Sequence, residues 1–100
     1  MKTKSYYFIT VFSSYDEHGP HGMRCWGFYR NFNEAHNTLT NNITDLWEYT
    51  YDYGIIEEYE EGIGNYQFNR WFYKYDQKLN QYVLENEPKE LKHYVSFALG

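Results

Sequence analysis

The chain lacks several residue types that whole classes of protein require. It has a single cysteine, Cys25, so an internal disulfide is impossible, and its first residues do not resemble a secretory signal. No apolar run approaches the ~18 residues that a membrane-spanning helix needs. These absences predict a cytoplasmic protein that has no membrane partner.

Positive charge is also scarce. The formal net charge is −5, and the only arginines are Arg24, Arg30 and Arg70. A protein that follows a duplex needs a basic surface, because its affinity comes from neutralised phosphates. We therefore expect no binding to duplex nucleic acid, whereas one or two arginines suffice to hold a small phosphorylated ligand.

Aliphatic side chains are few and aromatic side chains are many. The chain has 6 Leu, 5 Ile and 3 Val against 13 Tyr, 7 Phe and 3 Trp. Aromatic side chains must therefore supply much of the core, since each buries about 150–250 Å². The length of 100 residues fits one domain, spanning residues 1–100, with one modest core.

Residue patterns predict the element order β-β-α-β-β-β-β. Strands are expected over residues 5–14, 24–30, 51–59, 66–75, 82–85 and 94–99. Residues 15–23 are expected to form a loop, Gly62 and Gly64 to frame a turn, and residues 91–93 to complete one helical turn. Residues 43–49 fit either a short helix or an extended segment. The predicted fold class is α+β, a single antiparallel or mixed sheet of about five to six strands with one main helix on one face.

The predicted helix has clear signals at both ends. Asn31 and Glu34 have the spacing of a capping box at its start, and Asn41 and Asn42 mark its end. One apolar stripe at helical spacing lies between them, formed by Phe32, Ala35 and Leu39.

A single helix covers only one face of a sheet, so the second face must meet water, a ligand or another subunit. Strand alternation places aromatic residues on both faces. One side of the strand at 66–75 carries Phe68, Arg70 and Phe72, and the other carries Trp71, Tyr73 and Tyr75. Along 24–30, Arg24, Trp26, Phe28 and Arg30 alternate with Cys25, Gly27 and Tyr29. This pattern predicts a binding surface or a homo-oligomer interface.

Catalytic patterns are weak. Neighbouring carboxylates such as Glu57 and Glu58 point to opposite faces of a strand, so they do not converge on one substrate. Glu57 alone is expected to point inward, beside Arg24 or Arg70, where an ion pair is the favoured outcome. We expect no catalytic residue, no metal and no cofactor.

The remaining candidate is a set of aromatic, arginine and acidic residues that could hold a ligand. Trp and Tyr side chains stack on flat rings, and Arg clamps phosphate or carboxylate. The same aromatic residues also suit a protein interface or a core. The candidate ligand-binding residues are Arg24, Trp26, Tyr53, Glu57, Arg70, Trp71 and Tyr73.

Short motifs spread over nearly the whole chain resemble a group of small proteins of unassigned function from Firmicutes and their phages. They are Trp26-Gly27-Phe28-Tyr29, Glu34-Ala35, Asn41-Asn42, Glu48, Tyr51-x-Tyr53, Ile56-Glu57, Glu61-Gly62, Trp71-Phe72, Tyr75, Glu87-Pro88 and Phe97-Ala98-Leu99-Gly100. Phages carry small cytoplasmic proteins that block host defence, some by sequestering nucleotide signals and some by plugging a host enzyme. The resemblance implies a non-enzymatic counter-defence protein that sequesters a small nucleotide-like immune signal. The alternatives are an inhibitor that binds a host protein through an exposed aromatic sheet face, and a small homo-oligomeric domain.

Overall fold

A computed structural model describes residues 5–41, 51–61, 67–92 and 97–98. It confirms the α+β class, with one α-helix in the described chain, a five-stranded antiparallel sheet and a separate two-stranded sheet. The elements are β1 (Ser5–Phe12), β2 (Ser14–Asp16), β3 (Gly19–His21), β4 (Arg24–Tyr29), α1 (Phe32–Thr40), β5 (Tyr53–Glu60), β6 (Gln67–Asp76), β7 (Gln81–Glu85) and a 3-10 helix (Lys89–Leu91). The large sheet has the order β4-β1-β5-β6-β7.

Helix α1 begins and ends where the sequence predicts. The side-chain oxygen of Asn31 accepts hydrogen bonds from the backbone N–H groups of Asn33, at 2.7 Å, and Glu34, at 3.4 Å. These bonds satisfy donors that have no partner inside the helix. At the other end, the N–H of Asn41 donates to the carbonyl of Asn37 at 3.1 Å. The ambiguous segment 43–49 lies outside the described residues.

The helix packs closely on the sheet at a glycine. Ala35 and Leu39 of α1 are fully buried. A Cβ added to Gly54 of β5 would lie 2.9 and 3.1 Å from the two terminal methyl carbons of Leu39. Leu39 therefore occupies the space that any other residue at position 54 would fill.

Two hydrophobic cores lie on opposite faces of the large sheet. The helix-side core contains Ile9, Val11, Ala35, Leu39, Ile56, Tyr73 and Tyr82. The second core contains Phe12, Ile55, Phe72, Leu91 and Phe97, with Tyr15 and Tyr53 packed against it. The second face is thus partly covered by the chain itself, and not only by water, a ligand or a subunit as the sequence suggested. The cover comes from the β2–β3 hairpin, the 3-10 helix and Phe97.

The hairpin is the main error in the predicted elements, because residues 15–23 were expected to be a loop. Strands β2 and β3 pair through Ser14–His21, Tyr15–Pro20 and Asp16–Gly19. The turn is stabilised by Asp16, whose side chain accepts from the N–H of His18 at 2.8 Å. The hairpin carries Tyr15 onto Phe12 and Tyr53, which explains why so short a strand pair is ordered.

Strand alternation also fails locally at Trp26. Ile9 pairs with Gly27 and Thr10 pairs with Cys25, so Trp26 forms a bulge between these pairs. The bulge packs Trp26 against the helix-side core together with Tyr29, although alternation placed these two residues on opposite faces.

Two further expectations fail near the strand ends. The strand predicted for residues 51–59 begins only at Tyr53, and Tyr51, which precedes it, packs on the helix-side core while Tyr53 packs on the second core. Phe97 and Ala98 do not form the strand predicted for 94–99. The rest of that segment, Tyr66 and the turn at Gly62 and Gly64 lie outside the described residues.

Candidate functional site

A buried ion pair joins the two central strands of the second face. Glu57 of β5 is completely buried, and Arg70 lies opposite it on β6. Arg70 Nε donates to Glu57 Oε2 at 3.2 Å. The backbone N–H groups of Phe97, at 3.0 and 3.1 Å, and Ala98, at 2.9 Å, also donate to the Glu57 carboxylate. The predicted ion pair of Glu57 is therefore confirmed, with Arg70 as the partner and not Arg24.

The arginine of this pair is held on several sides. Its Nη1 donates to Glu87 Oε1 at 3.1 Å, and its guanidinium carbon lies 4.6 Å from the centre of the Phe97 ring. The Arg70 side chain is only 8% exposed. One cation faces two carboxylates, so the cluster of Glu57, Arg70 and Glu87 carries a net charge of −1. An incoming phosphate would meet a positive charge that is already compensated.

The same carboxylate is poorly suited to acid–base chemistry. Both oxygens of Glu57 already accept hydrogen bonds from N–H groups of the protein. A general base needs a lone pair directed at the substrate proton. The contacts of Glu57 instead fasten the chain near Phe97 and Ala98 to the sheet, so its role is structural.

An open groove of about 790 Å³ lies beside this cluster. It is bounded by Arg70–Phe72 of β6 and by Leu84–Glu87, at and after the end of β7. Strand β7 pairs with β6 only as far as Phe72, which leaves this space where β7 stops and β6 continues. The ionised side chains on its walls include Glu85 and Glu87 as well as Arg70, so the groove favours no anion.

Four of the seven candidate ligand-binding residues lie on the helix side of the sheet. The ring centre of Trp71 lies 4.5 Å from the ring centre of Phe32. Tyr73 is fully buried, and its burial raises the pKa of its hydroxyl. A hydrogen bond of 2.7 Å joins this hydroxyl to His36 Nδ1. Tyr73 therefore belongs to the core, whereas Trp71 is half-buried and borders the open groove.

Arg24 and Trp26 form the more accessible part of the helix-side group. The Arg24 guanidinium lies 5.6 Å from the centre of the Trp26 ring, within the range of a cation–π contact. Trp26 is half-buried and meets Tyr51 edge to face at 5.9 Å. Arg24 is exposed, so it can reach solvent and any molecule bound at this edge.

The other three candidate residues, Tyr53, Glu57 and Arg70, lie on the second face. Tyr53 stacks on Phe12 at 5.3 Å and on Phe72 at 5.7 Å, and burial raises its pKa. The sheet thus separates the predicted set into a group of four and a group of three. A single ligand cannot contact all seven residues, although the open groove is bordered by Arg70 of one group and Trp71 of the other.

An exposed aromatic cluster escaped the sequence analysis. Phe28 of β4 is 58% exposed and stacks on Phe8 of β1 at 5.3 Å. Tyr6 meets Phe28 edge to face at 5.9 Å. The buried ring of Tyr59 meets Phe8 edge to face at 5.4 Å. We call Tyr6, Phe8 and Phe28 the aromatic patch. Their common face follows from strand alternation once the pairing of Phe8 with Phe28 is known, but the sequence does not give that register.

The residues with nucleophilic or metal-binding chemistry do not converge on this patch. Partial burial raises the pKa of the Cys25 thiol, which disfavours the reactive thiolate. His21 Nε2 lies 2.8 Å from Asp16 Oδ2 within the β2–β3 hairpin. Among the described residues, no three His, Cys, Asp or Glu side chains come close enough together to hold a metal ion.

No protein-family model matches the chain, and comparison with curated proteins and with solved structures gives no match either. Within the described residues, no helix has the length and apolar character to cross a membrane.

Proposed function

We propose that this protein acts by binding, without catalysis, and that its partner is another protein, which contacts the aromatic patch. The observation that supports this most is Phe28, a large apolar ring with 58% of its surface exposed on top of Phe8. Contiguous exposed aromatic rings are typical of interaction surfaces, and Tyr and Phe are enriched in interface cores. The resemblance to phage proteins favours a cytoplasmic host protein as this partner.

The division of the candidate residues favours a protein partner over a nucleotide. A nucleotide site needs a stacking ring and a free cation within reach of one ligand. On the second face, the guanidinium of Arg70 already faces Glu57 and Glu87, and Tyr53 is stacked between rings of the core. The aromatic patch needs no such cation, because burial of its apolar surface drives the contact.

Photo-crosslinking at Phe28 tests this proposal. The position is replaced by p-benzoylphenylalanine in cells that express the protein, and the matched control carries the same replacement at Leu79. Leu79 is 59% exposed and lies in the β6–β7 turn, away from the patch. We expect a discrete protein adduct from position 28 and none from position 79.

Three outcomes are informative. A defined heterologous adduct at position 28 supports the proposal, and its loss on replacing Phe8 by Ser links it to the patch. An adduct between two copies of the chain supports the homo-oligomeric alternative instead. Equal adducts at positions 28 and 79, or no adduct at either, contradict a specific surface at Phe28.

A small nucleotide-like ligand remains a second proposal at one place, Arg24 with Trp26. The specific observation is the exposed guanidinium 5.6 Å over the half-buried indole ring, since this pair places one cation beside one aromatic side chain. Isothermal titration with cyclic dinucleotides and ADP-ribose derivatives measures such binding. Heat that disappears in the Arg24→Ala variant supports the second proposal, and absence of heat with every ligand contradicts it.

A further inference from the structure

We propose that the partner protein contributes an extended segment that pairs with β4 as an added strand. The segment carries apolar side chains in its centre and a carboxylate at each end. This inference rests on the proposed function, because the added strand would belong to the protein that covers the aromatic patch.

Strand β4 lies at the end of the large sheet. In the described part of the chain, its only paired neighbour is β1. The outer N–H and C=O groups of such a strand are a template for another extended chain. Proteins often protect edge strands with Lys, Pro or other charges, but none occurs from Cys25 to Tyr29. The bulge at Trp26 turns the strand and leaves Gly27–Tyr29 in regular register with β1.

Both faces of β4 have room for the side chains of an added strand. On the second face, Phe28 keeps 58% of its surface exposed. On the helix side, at the preceding position, a Cβ added to Gly27 would have no atom within 4 Å. A partner's apolar side chains can therefore lie against Phe28 on one face and over Gly27 on the other.

The charges at the ends of β4 specify the ends of the segment. Arg24 and Arg30 are both exposed and flank the apolar centre of the strand. Neither forms an ion pair with any described residue, while the chain as a whole has a net charge of −5. Arg24 pairs with Val11 on the helix side, whereas alternation after the pairing of Tyr29 with Tyr7 puts Arg30 on the second face. Because Trp26 is bulged, the two arginines are about five strand positions apart, which is roughly 16 Å at about 3.3 Å per residue. The matching carboxylates therefore lie about five residues apart in the partner segment, on opposite faces of its strand.

The same charges disfavour a second copy of this chain as the occupant. An antiparallel pair of β4 strands centred on Gly27 would bring Arg24 of each copy to the same end of the pair as Arg30 of the other, and residues 24–30 contain no carboxylate to compensate them. Like charges brought close together destabilise a strand pair. A segment of a different protein that ends in carboxylates places an attractive charge at each end instead.

Defined peptides test the inference with the whole protein. The probe is Ac-Glu-Val-Thr-Val-Thr-Glu-amide, whose two Glu side chains lie five positions apart on opposite faces of a strand, and its control has Lys at both ends. Binding is followed by backbone amide NMR shifts of the ¹⁵N-labelled protein. We expect shifts centred on residues 24–30 and about tenfold tighter binding of the acidic peptide. A third peptide with N-methyl groups at alternate residues has lost its strand hydrogen bonds and should not bind.

A charge exchange makes the result decisive. The Arg24→Glu/Arg30→Glu variant should prefer the Lys-ended peptide. The Lys78→Glu variant also makes the protein more acidic, but at an exposed site in the β6–β7 turn, and it should keep the original preference. Circular dichroism confirms that each variant is folded. These side chains are exposed, so their replacement removes no buried group, only the cation–π contact of Arg24 with Trp26.

The outcomes separate this inference from the proposed function. Equal binding of both peptides, no binding of the acidic peptide, or unimpaired binding of the N-methylated peptide would overturn strand addition at β4. A specific crosslink at Phe28 would then still support a protein partner. Loss of that crosslink would overturn the proposed function whatever the peptides do.

Discussion

The contacts of Glu57 predict a large loss of stability when its charge is removed. The conservative change Glu57→Gln keeps the side-chain shape but leaves one oxygen in place of two. If the amide oxygen takes the position near Phe97 and Ala98, the NH₂ group faces Arg70 Nε, which is also a donor. If the amide is rotated, the NH₂ group faces both backbone N–H groups. Either arrangement leaves donors opposed to donors in a fully buried site.

The size of the loss follows from burial. The Glu57 side chain is 0% exposed and that of Arg70 is 8% exposed, so water screens their interaction weakly. Removing one member of a buried ion pair costs about 3–5 kcal/mol. Arg70 keeps its contact with Glu87, but it loses the Glu57 carboxylate, and the backbone N–H groups of Phe97 and Ala98 lose an ionised acceptor. A domain of this kind has a total stability of about 5–15 kcal/mol. We therefore expect Glu57→Gln to lose a large share of the free energy of unfolding.

Urea unfolding followed by tryptophan fluorescence measures this loss. With an m-value of about 2 kcal/mol/M, a loss of about 4 kcal/mol lowers the midpoint by about 2 M. The control is Glu58→Gln, the same chemical change one residue later. Glu58 is half-buried and accepts from Asn69 at 2.9 Å and from the Tyr7 hydroxyl at 3.3 Å. We expect it to lose about 1 kcal/mol.

A double-mutant cycle then assigns the loss to the pair. Arg70→Met removes the buried cation, and the double variant Glu57→Gln/Arg70→Met should lose about 1–3 kcal/mol less than the sum of the single losses. The reasoning is refuted if Glu57→Gln costs no more than Glu58→Gln, or if the two single losses simply add.

The remaining predictions concern local features of the fold. Gly54→Ala should cost about 1–3 kcal/mol in the same urea assay, because its Cβ enters occupied space, whereas Gly27→Ala meets no atom and should change stability little. Asn31→Ala should cost about 1 kcal/mol of stability through loss of the helix cap, whereas Asn31→Asp should keep most of the stability that the cap provides. Hydrogen bonds from His21 and from a backbone N–H lower the pKa of Asp16 below its ordinary 3.8. These bonds therefore stabilise the hairpin above pH 3.8, and the stabilisation is lost as the pH falls through the pKa of Asp16 in the folded state. An NMR titration of the Asp16 carboxyl should give a midpoint below 3.8. In the His21→Ala variant this midpoint should rise.

The parts of the fold that the sequence predicts are those set by neighbouring residues. Helix α1 depends on Asn31 and on an apolar stripe within three turns, and both signals are local. The ion pair of Glu57 was expected because strand alternation pointed the side chain inward. The choice between Arg24 and Arg70 needed the strand order. Strand β6 lies beside β5, whereas β4 lies beyond β1, and the bulge turns Arg24 to the other face.

The rest depends on contacts between distant residues that leave no periodic signal. Nothing in the spacing of Leu91 or Phe97 indicates that they pack on Phe12, yet they cover part of the face that one helix could not reach. A bulge shifts the register by one residue, which moved Trp26 away from its predicted face. The candidate ligand site failed to assemble for the same reason, since alternation alone does not show which strands are neighbours.

Glu57 connects the stability of this fold to the surface that we propose for binding. By holding the backbone at Phe97 and Ala98, it keeps the Phe97 ring stacked on Phe12 at 6.0 Å and beneath the Arg70 guanidinium. That contact covers the second face around Phe72 and Ile55, but Phe28, farther along the sheet, keeps more than half of its surface exposed. A chain so poor in aliphatic residues must use aromatic rings for its core, and the buried carboxylate helps determine which rings become core. The rings outside that cover, at the edge formed by β1 and β4, are the ones available to a partner.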